Sequence, residues 1–408
     1  MNKRMDRSKL NIGAYYLRDY ARTEQHFKDL SDCGIDFIAA YGEGNDKLDM
    51  FEKYGIGAFL YDACPGWWGG DGDNAGTMKD KNPLSVYEES AKKFADHPAV
   101  WGIDIGDEPS ALDMEHYGRV WNLVNQIFPN QFPYLNLYPN YASVSENTAE
   151  QTVSQLGTAT YEEHIECYCK NVPADYICFD YYPYASNIPG FYSNLRVVSD
   201  AARNTGRSMW IVLQVNSNKA EKWISRNMLR FQAFNAMAFG AENIIWACYT
   251  AGWWHNQVLD KEGNKTEQYE KLKEINAEIK RIAERYMAYR RTETHFIGFD
   301  QSEFAAPKET VKSLSTGAIY DLRASNGAPL TVGEMVARNG DTRRAVMICP
   351  CDDPYDTNEK EFDIIFKIDS GKTPFAYGGK GKLPETKLDS GEYSVPSGSN
   401  KGIFIEIR

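Results

Sequence analysis

Two adjacent carboxylates, Asp107 and Glu108, end an apolar segment that begins Val100-Trp-Gly-Ile, and Pro109 follows them. Carboxyl groups at the exit of a buried strand are costly to desolvate, and such groups often carry shifted pKa values that suit acid–base catalysis. A pair of carboxyl groups beside a scissile bond is what glycoside hydrolysis requires. A helix-capping role would account for Glu108 alone, because Pro109 and Ser110 are typical of a helix start.

The Glu-Pro at the end of this Trp-Gly strand resembles the Asn-Glu-Pro motif of clan A glycoside hydrolases. The resemblance implies a barrel enzyme in which Glu108 is the general acid or base. The sequence departs from the motif at one position, since Asp107 stands where the family has Asn.

Short apolar segments alternate with amphipathic helical segments from residue 11 to about residue 290. Continuous apolar strands are typical of a parallel sheet covered by helices on its outside, and eight such units favour a (β/α)8 TIM barrel over residues 1–290. The predicted strands are Asn11–Tyr16, Asp36–Gly42, Gly57–Asp62, Val100–Glu108, Phe132–Tyr138, Tyr176–Tyr184, Met209–Val215 and Asn243–Thr250. The predicted helices are Thr23–Cys33, Leu48–Tyr54, Pro83–Asp96, Leu112–Phe128, Tyr161–Lys170, Phe191–Thr205, Ile224–Phe239 and Glu267–Tyr289.

Helical periodicity stops after Arg291, and short alternating segments separated by Gly, Pro, Asp and Ser take its place. Examples are Ala345–Cys349, Glu361–Ile368 and Gly402–Ile407. This pattern predicts a small antiparallel β-sandwich over residues 291–408. We expect it to serve as a packing module rather than as a glycan-binding one.

Strand six ends in Asp180-Tyr-Tyr182-Pro, and Asp180 and Tyr182 share one face of the strand. This segment resembles the Asp-x-Tyr-Pro found on strand six of several clan A families, and both side chains are candidates for catalysis. A phenol near a sugar ring can donate a hydrogen bond or stabilise charge. Packing is the favoured role for the neighbouring tyrosines, Tyr181 and Tyr184.

Strand seven departs from the family, because Gln214 stands where clan A enzymes carry their nucleophilic Glu. A neutral amide cannot be the nucleophile of a retaining mechanism. Three explanations remain open. Asp107 or another carboxylate activates a water in an inverting hydrolase; Asp107 orients a 2-acetamido group of the substrate that attacks its own anomeric carbon; or the barrel binds glycans without catalysis. In all three we expect Gln214 to bind substrate through hydrogen bonds.

Indole pairs in two predicted loops indicate a carbohydrate ligand, because indole faces stack on pyranose rings. Trp67 and Trp68 follow strand three in a Gly-rich loop that continues to Asp73, and Trp253 and Trp254 follow strand eight. One indole of each pair is expected to pack over the barrel instead. Two further polar contacts are expected from the end of strand five, at Asn136 and Tyr138.

The formal net charge of -12 and a pI near 5.2 argue against nucleic acid and anionic membranes as partners. The sequence shows no apolar run of membrane-spanning length and no signal-peptide core. We therefore expect a cytoplasmic protein if the chain is complete, and a periplasmic or secreted one if a leader was removed. The histidine and cysteine spacings predict neither a metal site nor a cofactor. The sequence predicts a glycosidase of the TIM-barrel class that cleaves an O-glycosidic bond of an oligo- or polysaccharide, with its oligomeric state open.

Overall fold

The computed structural model describes residues 4–42, 47–69, 74–90, 97–144, 154–299 and 319–408. Eight parallel strands form one sheet in the order β5-β4-β3-β2-β1-β8-β7-β6. The two outer strands meet where the Leu137 N–H donates to the Cys178 carbonyl at 2.9 Å, and this contact closes the sheet into a barrel. The predicted (β/α)8 architecture is confirmed.

The barrel strands lie where the sequence placed them, and each ends one to three residues before its predicted end. They are β1 Asn11–Tyr15, β2 Phe37–Tyr41, β3 Gly57–Leu60, β4 Val100–Asp107, β5 Phe132–Asn136, β6 Tyr176–Tyr181, β7 Ser208–Gln214 and β8 Ala241–Ala247. Their apolar side chains are almost entirely buried, as expected for strands covered on both faces.

The helices cover the outside of the barrel. They are α1 Glu24–Asp32, α2 Leu48–Lys53, α3 Met78–Lys81, α4 Leu84–Ser90, α5 Met114–Ile127, α6 Tyr161–Asn171, α7 Ile188–Thr205, α8 Arg226–Ala238 and α9 Glu267–Tyr286. The part of the third predicted helix over residues 91–96 lies outside the described residues. In these described ranges, no helix combines the length and the apolar character needed to cross a bilayer.

The last predicted helix extended too far, to Tyr289. Helix α9 ends at Tyr286, and Tyr289 instead begins a strand paired with Ala337. The Tyr289 ring packs 5.4 Å from that of Phe404, so contacts within the sheet override the local helical pattern.

Two antiparallel sheets follow the barrel, as the β-sandwich prediction requires. Their strands are β9 Tyr289–Ile297, β10 Ile319–Ala324, β11 Leu330–Ala337, β12 Arg344–Pro350, β13 Glu361–Ile368, β14 Pro374–Gly378, β15 Gly381–Lys382, β16 Thr386–Lys387, β17 Tyr393–Gly398 and β18 Ile403–Ile407. Four strands form the order β10-β13-β17-β16 and six form β15-β14-β18-β12-β11-β9.

The six-stranded sheet is buried on both faces. In β12, Val346 and Ile348 join the core between the two sheets, whereas Met347 and Cys349 join the core of the barrel. This alternation of period two seats the sheet against the barrel. The predicted boundary between residues 290 and 291 falls within β9, and the division into two domains stays a prediction.

Candidate active site

A β-bulge near the end of β4 sets the directions of its carboxylates. Opposite β5, Asp104 pairs with Tyr134, Gly106 with Leu135 and Asp107 with Asn136, so β4 has one extra residue. A bulge interrupts the alternation of side chains and thereby puts residues three apart on one face. Gly106 is required there, because a Cβ atom would lie 2.3 Å from the Tyr117 hydroxyl oxygen.

Glu108 adopts an uncommon backbone conformation, with φ of 45° immediately before Pro109. A residue before proline normally takes an extended conformation, and a positive φ is unfavourable for a side chain of this size. The surroundings hold it: the Glu108 N–H donates to the Asn136 carbonyl at 2.9 Å, and Gly69 packs so closely that a Cβ there would lie 1.8 Å from the Glu108 carbonyl oxygen. Strain that neighbouring contacts maintain is typical of functional sites.

The Glu108 carboxyl group is partly buried at the rim and accepts a 2.8 Å hydrogen bond from the indole Nε1 of Trp68. Burial and then the negative charge of Asp107 raise its pKa to about 7, against the opposing effect of the Trp68 bond. Glu108 can therefore carry a proton near neutral pH.

Asn136 connects two further carboxyl groups. Its Nδ2 atom donates to Asp107 Oδ1 at 3.1 Å and to Asp180 Oδ1 at 2.8 Å. Burial raises the pKa of Asp107 to about 6, with the Asn136 bond acting in the opposite direction. Burial, then the charge of Glu108 and then that of Asp107, raise the pKa of Asp180 well above its usual range.

These three carboxyl groups therefore differ in their readiness to hold a proton. Burial raises all three pKa values: that of Asp107 to about 6, that of Glu108 to about 7, and that of Asp180, which is only 3% exposed, well above its usual range. Separated pKa values within one cluster assign acid and base roles.

Aromatic rings from β6 and the loop after β8 form one wall of the site. The Tyr182 ring centroid lies 5.0 Å from that of Trp254 and 6.1 Å from that of Trp253. Both indoles are partly exposed, and Trp254 has a φ of 66°. The structure thus brings Tyr182 and both predicted indoles of this loop together.

Two residues predicted to contact substrate are fully buried in the structure, and a third is half-buried. Gln214 is 0% exposed; its Oε1 accepts from the Tyr184 N–H at 3.1 Å, and its Nε2 donates to the Asn216 carbonyl at 3.0 Å. Tyr138 is 1% exposed. Trp67 is half-buried, and its indole packs at 5.3 Å from the Lys81 ammonium group.

Neighbouring elements cover the two buried side chains. The segment after β6 contacts Gln214 through the Tyr184 N–H, and the Tyr138 ring packs 6.3 Å from the His164 ring of α6. Within the Trp67–Trp68 pair, Trp68 is the exposed indole, at 59%. Residues 70–73 of that loop, including Asp73, lie outside the described residues.

Tyr141 is a candidate site residue that the sequence reasoning missed. It is 48% exposed, and burial followed by the charges of Asp180 and Glu108 raises the pKa of its hydroxyl. Its loop is anchored by the Asn140 N–H, which donates to Asn194 Oδ1 at 2.7 Å. The Pro139-Asn140 turn directly after strand five was the available signal.

The described carboxylates of this site do not form a cluster that could hold a metal ion. Within the described part of the chain, only Asp49, Glu52 and His97 place three ligand atoms within 4.8 Å of one another. His97 precedes β4, at the opposite end of the barrel from Glu108. Its Nδ1 accepts a hydrogen bond from the Ala99 N–H, which leaves the ring proton of the neutral form on Nε2, the atom facing Asp49.

No protein-family model and no curated protein matches this sequence. Solved structures show distant similarity. A Bacteroides thetaiotaomicron VPI-5482 protein described provisionally as an alpha-L-fucosidase is 14% identical, with 68% of this chain and 97% of that chain covered and a TM-score of 0.48.

A beta-glucuronidase from Bifidobacterium dentium is 11% identical at a TM-score of 0.45, covering 66% of this chain and 46% of that chain. A glycoside hydrolase family 5 mannosidase from Rhizomucor miehei is 10% identical at a TM-score of 0.42, covering 65% and 92%. Similarities at this level do not assign an activity to this chain.

Proposed function

We propose that this protein is a glycoside hydrolase that uses Glu108 as its general acid. The observation that carries the proposal is the state of that carboxyl group, which is held in a strained backbone at the barrel rim with a pKa near 7. A general acid works best when its pKa lies near the operating pH. The carboxyl ends of barrel strands are where TIM-barrel enzymes place their active sites.

Asp107 is the partner of Glu108 in this proposal, as the carboxylate that stays ionised. Asp180 is the weaker candidate for the base, because burial and then the charges of Glu108 and Asp107 raise its pKa well above its usual range. An inverting hydrolase needs its base on the opposite face of the sugar from the acid, whereas Asp107 and Glu108 are neighbours on one strand.

A nucleophile supplied by the substrate itself removes the need for a base on the opposite face of the sugar. A 2-acetamido oxygen would attack the anomeric carbon while Glu108 protonates the leaving oxygen and Asp107 accepts a hydrogen bond from the acetamido N–H. Tyr182, Trp253 and Trp254 would hold the sugar ring. The proposed class is therefore a substrate-assisted glycosidase acting on a 2-acetamido sugar.

A panel of 4-nitrophenyl glycosides with and without a 2-acetamido group tests this proposal, with the anomer of the first product read by NMR. We expect hydrolysis only of the 2-acetamido members, with net retention. Net inversion, or hydrolysis of 2-hydroxy glycosides, would overturn the substrate-assisted mechanism in favour of water attack.

The rival function is a barrel that binds glycans without cleaving them. A glycan array probed with wild-type protein and with Glu108→Gln separates the two. Binding by both proteins without turnover of any glycoside by the wild type would favour the binding barrel.

A further inference from the structure

A cavity opens at the same rim of the barrel as Glu108, beside the proposed active site. Its volume is about 390 Å³, within the range of small-molecule sites. It is lined by side chains that follow β1, β2, β3 and β8, among them Tyr16, Arg18, Tyr20, Tyr61 and Ala251.

Two residues that line this cavity have a backbone conformation unfavourable to side chains. Tyr16 has a φ of 65° and Ala40 a φ of 51°. Such conformations are unfavourable and persist where surrounding contacts impose them, most often at functional sites. In Tyr16 the strain turns the chain over the end of β1, where its carbonyl accepts from the Thr250 hydroxyl at 2.9 Å.

Neighbouring groups hold the Arg18 side chain in place, and its terminal nitrogens stay accessible to a ligand. Its Nε donates to the Ala251 carbonyl at 2.8 Å, and its Cζ lies 4.3 Å from the Tyr16 ring centroid. The residue is exposed, and its two terminal nitrogens contact no partner among the described residues. Arg22, in contrast, is committed to the Leu17 and Gly42 carbonyls and to Asp19.

Aromatic rings link the cavity to the proposed active site. The Trp253 ring lies 6.1 Å from Tyr182 on one side and 5.9 Å from Tyr16 on the other. Burial, followed by the charges of Cys248 and Asp107, raises the pKa of Tyr16 to about 12, so this ring also lies within electrostatic reach of the carboxylates. A ligand that extends across Trp253 and Tyr16 would occupy both the cavity and the proposed active site.

We propose that this cavity is a second glycan subsite, which binds a sugar unit next to the one cleaved at Glu108. The terminal nitrogens of Arg18 would donate to two neighbouring hydroxyls, and the Tyr61 ring, 42% exposed, would pack against the sugar face. This inference rests on the proposed hydrolase function and adds where a second sugar unit of an oligosaccharide would bind and which side chains would hold it.

The test compares Arg18→Ala and Tyr61→Ala with wild type on two substrates. One is the 4-nitrophenyl glycoside hydrolysed fastest in the panel above, and the other is the series of two- to six-unit oligosaccharides ending in the same sugar. We expect kcat/KM for the oligosaccharides to fall roughly tenfold, through KM, with the aryl glycoside unchanged. Arg281→Ala, on the exposed face of α9, is the matched control and should leave both unchanged.

Equal losses on both substrates, or none on either, would overturn the subsite. If wild type hydrolyses no glycoside, the proposed function fails by itself. The subsite is then judged on the glycan array: retention of every bound oligosaccharide by Arg18→Ala would overturn it, and selective loss of the longer ones would support it.

Discussion

The ends of β4 and β7 lie on the same rim of one barrel, yet they are built in opposite ways. At the end of β4, Glu108 is strained and partly accessible, and burial followed by the charge of Asp107 raises its pKa. At the end of β7, Gln214 is fully buried and both polar ends of its amide are paired with backbone groups. The Gln232 side chain also pairs with the Gln214 N–H and carbonyl, at 2.9 and 2.6 Å.

The contrast shows that groups proposed to react and groups that stabilise the backbone lie at different strand ends. Polar groups that are buried and fully paired stabilise one backbone arrangement, whereas like charges held close together are tolerated only where function gains from them. The β7 end fixes the loops after β6 and β8, since Asn216 Nδ2 donates to the Trp253 carbonyl at 2.7 Å. The β4 end carries the proposed reaction.

The largest expected effect is the loss of activity in Glu108→Gln, by about 10²- to 10⁴-fold in kcat. Stability should change in the opposite direction. The folded pKa of Glu108, about 7, exceeds its usual 4.5, so ionisation costs stability as the pH rises through this window. At pH 8 the variant should be more stable by on the order of 2 kcal/mol, and at pH 4 it should equal wild type.

Chemical denaturation at both pH values measures this difference. Glu115→Gln, an exposed residue of α5, is the control and should alter neither property. A Glu108→Gln variant that is less stable than wild type at pH 8 would mean that Glu108 supports the fold in the way that Gln214 does.

Gln214→Glu introduces at β7 the acidic residue of the clan A enzymes that the sequence resembles, and it should destabilise the protein by roughly 3 kcal/mol or more. The new carboxylate would be fully buried and would face the Asn216 carbonyl, which now accepts from the amide Nε2. We expect no gain in hydrolysis. Urea denaturation measures the cost, with Gln126→Glu at an exposed position of α5 as the control. A stable and more active variant would show that the β7 end takes part in the reaction, as the β4 end is proposed to do.

Asp107→Asn should weaken activity about 100-fold and move the pH profile. In wild type, kcat/KM should rise as Asp107 ionises through about pH 6 and fall as Glu108 ionises through about pH 7. The variant lacks the charge that raises the Glu108 pKa, so its alkaline limb should lie at lower pH. An unmoved alkaline limb would contradict the coupling of the two groups.

Trp68→Phe should have the smallest effect, and it should move the alkaline limb of the pH profile in the opposite direction to Asp107→Asn. Its indole N–H lowers the pKa of Glu108, so its removal should move the alkaline limb to higher pH. Trp68 is 59% exposed, and we expect thermal unfolding to stay unchanged. A shift to lower pH would show that the hydrogen bond does not act on the ionised carboxylate.

Much of the fold could be predicted because the strand signal is local. Apolar segments bounded by turn residues placed every barrel strand to within a few residues, and Glu108 directly follows the strand that the sequence predicted for it. Gln214 was misjudged because burial at a strand end depends on which loops fold over it. Tyr141 was missed because its approach to Glu108 and Asp180 depends on the contact between Asn140 and Asn194, which are far apart in sequence.

The sequence by itself determined the barrel and the identity of its carboxylates, because hydrophobic periodicity and residue type are properties of short segments. Only the tertiary structure decided how far the pKa of each carboxyl group is raised. The size of each shift follows from burial and from charges brought together across β4, β5 and β6, and the Gly106 bulge and the Asn136 bridge set those distances. Electrostatic shifts depend on separation in space, which sequence spacing does not contain.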